Sequence, residues 1–272
     1  MRKIITVLFI TFNRSELLVK TVEAMFGWKG FHDSIKICAD DGSTTEHLAR
    51  IKNLPFNQVI TAKKNGGLGK NNNKGLQACS TEYILMVQDD CVLINPECID
   101  VAIKILDQDP TVGIVRLTSS HRLPSLVSRQ IDDMHYWICD HLSEDYINNK
   151  NTLPRICAYS DQPHLRRRSV HEKYVGMYDE GLCMEDTEMN YEDRFDAQKD
   201  CFIAFLSDKE ITNFSHCGAE KSFRTGKFRY RLENFLVRIV NLLGLKRYSI
   251  YLTAREIYRK IQRHLINAGI FK

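Results

Sequence analysis

Residues 83–93 read YILMVQDDCVL: an apolar run, Tyr83 to Val87, passes straight into Gln88, Asp89 and Asp90. A short run of this composition reads as a buried strand. Two carboxylates at its end either make a solvated turn or hold something charged, and the other strand ends decide which. Ile4–Ile10, Ile35–Ala39, Gln58–Thr61 and Gly113–Leu117 repeat the short apolar pattern. Helical stretches lie between them. Ser15–Phe26 carries Leu18, Val22 and Met25 on one face, Ser43-Thr-Thr-Glu46 has the form of a capping box opening a helix through Ile51, and Asn95-Pro96 opens another that stops at Asp109-Pro110. This alternation predicts an α/β fold with a mainly parallel central sheet flanked by helices.

The bulk composition permits such a domain and narrows the class. The chain has 272 residues, 43% hydrophobic and 26% charged, which is enough apolar material for a real core. A net charge of +4 permits anionic partners and requires none. The apolar start, within MRKIITVLFITFNR, is too short to span a membrane and no small-residue cleavage site follows, so it reads as a strand rather than a signal. The nine cysteines show no C-x-x-C pair, which argues for free thiols in a reducing compartment and a cytoplasmic protein.

Open parallel sheets take ligands at the carboxyl ends of their strands. Those ends read Thr11-Phe-Asn-Arg14, Asp40-Asp-Gly-Ser43 and Gln88-Asp-Asp90. Strand alternation puts Gln88 and Asp90 on one face and Asp89 on the other, which singles out Asp90 as the direct ligand of a hard cation. Asp40 and Asp41 can accept from a base N–H or a ribose hydroxyl, and Gly42 permits the tight turn. Lys63-Lys-Asn-Gly-Gly-Leu-Gly-Lys-Asn-Asn-Asn-Lys-Gly75 is glycine-rich and basic, and suits phosphate. Its spacing is not that of a Walker loop, and no G-x-G-x-x-G follows the first strand, which weakens ATPase and dinucleotide-dehydrogenase readings.

In this order, TFNR, ADDGS, NGGLGKNNNKG and the QDD strand end resemble the nucleotide-binding half of a family 2 glycosyltransferase with the GT-A fold, over about residues 4–95. Val175–Glu188 is similar to the family's segment that ends in a Glu-Asp pair, and Ile211–His216 resembles its late strand ending in histidine. The resemblance implies a nucleotide-sugar site built from Thr11, Asn13, Arg14, Asp40, Asp41, Asn65, Gly67, Lys70, Asn73, Gln88 and Asp89. It also implies a Mn²⁺ or Mg²⁺ site at Asp90 and His216, and Asp186 as catalytic base with Glu185 beside it. Residues 1–118 would form the nucleotide-sugar half, 119–226 the acceptor and catalytic half, and 227–272 a basic amphipathic helical extension. Gln88 departs from the family's first acid and Asn72 from its usual arginine. The Q-x-x-R-W signature of processive members is absent, since the only tryptophans are Trp28 and Trp137.

These features lead to a non-processive, inverting glycosyltransferase with a UDP-sugar donor and a surface-polysaccharide or lipid-linked glycan acceptor. A modified nucleobase or a protein stays open as acceptor, the first on the basic lean and Arg166–Arg168. A sugar nucleotidyltransferase and a catalytically weak binding module are the rival readings, Gln88 supporting the latter. Arg166–Arg168 itself reads as structural, and Ser119–Leu165 as an irregular region covering one side of the site. The C-terminal stripes, Phe228, Leu232, Phe235, Ile239, Leu243 and Ile257, Ile261, Leu265, read as packing faces, with peripheral membrane contact through the basic side as the second option.

Overall fold

The computed structural model describes residues 3–118, 123, 125–150, 157–182 and 184–218, without the side chains of residues 184 and 185. The expected C-terminal helices lie outside the described residues. The chain divides into two compact units, residues 1–143 with 157–221, and residues 144–156 with 222–272. In the first unit, β1 (Thr6–Thr11), α1 (Ser15–Met25), α2 (Gly30–Asp33), β2 (Ile35–Asp40), α3 (Thr45–Lys52), β3 (Gln58–Thr61), α4 (Leu68–Ala78) and β4 (Tyr83–Gln88) follow one another. Then come β5 (Cys91–Leu93), α5 (Glu97–Gln108), β6 (Val112–Arg116), β7 (Leu126–Ile131) and β8 (Met134–Cys139). The described part of the second unit includes α6 (Glu144–Asn149). The first unit resumes with β9 (His164–Arg167), α7 (Met184–Asp196), β10 (Phe202–Phe205) and β11 (Phe214–His216).

Nine strands form one sheet in the order β3-β2-β1-β4-β9-β6-β10-β8-β7, and β11 pairs with β5 in a small second sheet. The expected strands are all present, and the first half of the sheet, β3-β2-β1-β4, is parallel. The whole sheet is mixed: β9 lies antiparallel between β4 and β6, and β8 and β7 continue antiparallel beyond β10. β1 is buried along its whole length because both faces are covered. Val7 and Phe9 belong to the core shared with Leu18, Val22, Ile99 and Ile105. Leu8 meets α4, where a Cβ on Gly75 would lie 2.7 Å from Leu8 Cδ1, so the helix reaches the sheet only without a side chain there. Each fully buried Leu or Phe contributes about 1.5–3 kcal/mol.

Two local expectations need correction, and the structural reading of Arg166–Arg168 holds. Ser43 and Glu46 do not form a capping box: Thr44 caps α3 without a side-chain bond, and Ser43 Oγ donates instead to Asp40 Oδ1. A buried carboxylate three residues upstream outcompetes the helix end for that hydroxyl. The stretch read as irregular contains the β7–β8 hairpin, whose Asp132-Asp133 turn, with Asp132 at φ 49°, looks from sequence like a breaker. Arg166–Arg168 is no continuous surface patch. Arg166 is fully buried and donates to Tyr191 Oη at 2.6 Å, and Arg167 Nε donates to Val112 O at 2.9 Å. That removes the basic run as support for a nucleic-acid acceptor.

Candidate active site

The parallel pairing sets the site. Thr11 lies opposite Asp40, and Ile10 opposite Gln88, so three strand ends finish together. Beyond Gln88 the strand stops, and the next two residues turn. Asp89 is buried, with Oδ2 accepting from Thr11 Oγ1 at 2.9 Å and Oδ1 from Arg14 Nη1 at 3.1 Å. Its backbone is fixed as well, its N–H donating to Ile10 O at 3.1 Å and its carbonyl accepting from Thr21 Oγ1 at 2.8 Å. Burial, ahead of the opposing pull of Arg14 and the added push of Asp90, raises the Asp89 carboxyl to about 7.

Asp90 faces the same guanidinium: Arg14 Nη1 donates to its Oδ2 at 2.8 Å. The alternation that would have turned Asp89 away ends with the strand, and one arginine bridges both acids. The antiparallel pair of β5 and β11 sets His216 opposite Cys91, which brings His216 Nε2 to 3.4 Å from Asp90 Oδ2. Cys91 Sγ donates to Asp90 Oδ1 at 3.6 Å. Burial first, and the Asp90 charge second, push the Cys91 thiol far up, so it is neutral here. The chain after His216 closes over the acid. Cys217 N and Sγ both donate to Asp90 O, at 2.9 and 3.3 Å, and a Cβ on Gly218 would lie 2.2 Å from Asp90 Oδ2.

At the end of β2 the two aspartates divide their work. Asp40 is fully buried and its carboxylate accepts from Gly42 N and Ser43 N, both at 3.1 Å, so it holds the turn. Gly42, at φ 79°, is required there because a Cβ would lie 2.7 Å from the Lys64 carbonyl carbon. Asp41 reaches across to the glycine-rich segment and accepts from Gly66 N and Gly67 N at 2.9 Å each. Asn65 Oδ1 also accepts from Gly67 N, at 3.1 Å, just before α4 begins. Asn13, at φ 53°, ties two loops: its N–H donates to Ser43 Oγ at 2.7 Å and its Oδ1 accepts from Thr44 N at 2.9 Å. Asp41, Lys63, Lys64, Gly66, Lys70 and Lys74 line an open cleft of 340 Å³. This lining includes neither Asp90 nor His216.

Asn73 links α4 to the turn that follows β9. Its Nδ2 donates to Tyr178 O at 2.9 Å and its Oδ1 accepts from Tyr178 N at 2.8 Å. Nδ2 also donates to Glu180 Oε1 at 2.9 Å. Below the turn, Tyr159 Oη and Tyr178 Oη both donate to Asp161 Oδ1, at 2.5 and 3.1 Å, and Asp161 N donates to Glu188 Oε1 of α7 at 2.8 Å. Burial, then the Glu188 charge, raises Asp161 to about 7. Asp186 is half-buried in the first turn of α7. The Glu185 side chain lies outside the described residues. Gln88 is half-buried at the end of β4.

The donor set at this strand end has the chemistry of a divalent-cation site. Among the described residues, Asp90, Cys91 and His216 present ligand atoms within 4.8 Å of one another. One carboxylate and one imidazole are few for a dedicated cage, but suit a cation that takes its remaining ligands from substrate phosphates. Sequence reasoning singled out Asp90 and His216, named Lys74 only as a basic residue of the glycine-rich segment, and passed over Cys91 and Asn71. Asn71 Nδ2 bonds the ends of both β1 and β2, at Thr11 O (3.2 Å) and Ala39 O (3.0 Å), and Lys74 Nζ donates to Asp40 O. Only their proximity to the motifs could have pointed to them.

A half-parallel sheet with acidic strand ends, a glycine-rich helix start and a late histidine strand defines the GT-A class of nucleotide-sugar proteins. The chain belongs to glycosyl transferase family 2, whose pattern matches residues 6–175. Among solved structures it is similar to S. aureus TarS 1–349 in complex with UDP, at 16% identity and TM-score 0.53 over 75% of this chain and 58% of that one. TarS 1–349 in complex with UDP-GlcNAc is likewise 16% identical, with TM-score 0.51 over 87% and 66%. The mannosyltransferase PcManGT from Pyrobaculum calidifontis, in complex with GDP-Man and Mn²⁺, is 14% identical, with TM-score 0.51 over 100% and 82%. The chain thus spans just over half of the first TarS fragment. No curated protein matches it.

Proposed function

We propose that the chain moves one sugar at a time from a nucleoside-diphosphate sugar, a UDP-sugar, to an acceptor hydroxyl, with inversion. The observation that carries this reading is the meeting of Asp90 and His216 at the edge where Thr11 and Asp40 end parallel strands. Family membership supports it, as do the UDP, UDP-GlcNAc and GDP-Man bound by the similar structures.

Residues 1–118 bind the donor in this reading. Asp41, Lys70 and the Asn65–Gly67 loop line the cleft for base, ribose and phosphate, while Thr11, Asn13, Arg14, Asp40 and Asn73 hold its walls. Asp90 and His216 would hold Mn²⁺ or Mg²⁺, which neutralises charge on a leaving diphosphate when bound. Residues 119–226 supply the acceptor side. Asp186 takes the proton of the acceptor hydroxyl as that oxygen attacks the anomeric carbon opposite the departing diphosphate. A surface polysaccharide or lipid-linked glycan is the acceptor class implied. The free thiols of the described residues suit a cytoplasmic setting. No helix among the described residues is long and apolar enough to cross a membrane.

Incubation with a panel of sugar nucleotides and Mn²⁺, following release of nucleoside diphosphate, tests the reading. Slow hydrolysis of one donor is expected, with Asp186→Asn keeping donor binding and losing transfer. Full transfer by Asp186→Asn would remove Asp186 from the base role.

A further inference from the structure

The donor set around Asp90 contains more than a hard cation uses. Magnesium and manganese favour oxygen, whereas zinc takes sulfur, nitrogen and oxygen together in a tetrahedral shell. With zinc bond lengths of about 2.0–2.3 Å, neighbouring ligands of such a shell stand roughly 3.3–3.7 Å apart. His216 Nε2 stands 3.4 Å from Asp90 Oδ2, and Cys91 Sγ 3.6 Å from the other carboxylate oxygen, Oδ1. One ligand atom from each of Asp90, Cys91 and His216 lies within 4.8 Å of the other two. The β5–β11 pairing fixes this constellation: His216 is in register with Cys91, and Cys217 N is bonded to Asp90 O.

We propose that Asp90, Cys91 and His216, with water completing the shell, form a site for a thiophilic divalent cation of the zinc class that fills without nucleotide. On binding, the Cys91 thiol becomes a thiolate ligand and releases its proton to solvent, as coordinating thiols do. Arg14, which shares Asp90 Oδ2, gives up that contact to the incoming charge. Zinc so held occupies the two residues assigned above to the donor's metal, and therefore blocks metal-dependent donor binding. Only this consequence rests on the glycosyltransferase reading; the sulfur ligation does not.

Cobalt reads the ligation directly, because Co²⁺ adopts zinc's geometry and shows a sulfur-to-metal charge-transfer band in the near ultraviolet. The full chain, free of nucleotide, is titrated with Co²⁺ and then with Zn²⁺ as competitor. Expected are a sulfur band saturating at one Co²⁺ per chain, its loss on adding Zn²⁺, and its loss in Cys91→Ser but not in Cys79→Ser. Cys79, on the α4 side of the fold, controls for thiols elsewhere. A wild-type spectrum with only weak octahedral-type absorption and no sulfur band overturns the proposal, whatever the variants do. So does a Cys91→Ser spectrum identical to wild type. Either result leaves the manganese-dependent donor reading standing, and loss of donor binding would leave the sulfur band standing.

Discussion

Arg14 decides how the acidic end of the site exists without a cation. Its Nη1 lies 3.1 Å from Asp89 and 2.8 Å from Asp90, both of which are buried. Removing one partner of a buried ionic cluster costs about 3–5 kcal/mol, because the remaining charges face each other. Arg14→Ala is expected to lower stability by that order, and Mn²⁺ should restore more of the melting temperature in the variant than in wild type. Equal response of the two proteins to Mn²⁺ would show that the arginine does not stand in for a cation. Gly42→Ala belongs to the same scale. With φ at 79° and Lys64 backbone 2.7 Å from the new Cβ, a loss of about 1–3 kcal/mol in denaturant unfolding is expected.

Between elements, the 176–180 turn carries the coupling. Asn73 satisfies both backbone groups of Tyr178, so Asn73→Ala leaves a buried donor and acceptor open. About 1–3 kcal/mol of destabilisation is expected in chemical denaturation. Asp161 ties the same turn to α7 and gives a pH signature. Its carboxyl sits near 7 in the fold against 3.8 ordinarily, so the folded chain keeps a proton the unfolded chain has lost. Stability therefore falls as pH rises between those values and levels above them. Melting temperatures taken across that window should decline, with Asp89 contributing in the same direction, and Asp161→Asn should reduce the decline. An unchanged slope in the variant would place the titration elsewhere.

Across the molecule, the parallel half of the sheet was legible and the rest was less so. Short apolar runs ending in TFNR, DDGS and QDD announced β1, β2 and β4 because strands covered on both faces need uninterrupted apolar residues. β9 was legible as a strand only through the family resemblance, since HLRR looks basic until the fold buries Arg166 against Tyr191. The hairpin β7–β8 hid behind two aspartates at its turn, and its exposed residues blur the alternation of β7. In the site, Asp90 was legible from the strand end, but the direction of Asp89 was not, because alternation stops where the strand stops. Cys91 and His216 lie far apart in sequence and meet only through the β5–β11 pair, so no spacing rule could join them. The central claim, that Asp90 holds the cation through which this edge takes a nucleoside diphosphate, is open to a single titration. Calorimetry of UDP binding with and without Mn²⁺, on wild type and Asp90→Ala, should show Mn²⁺ strengthening binding to wild type alone. Equal Mn²⁺-dependent affinity in the two proteins would contradict it.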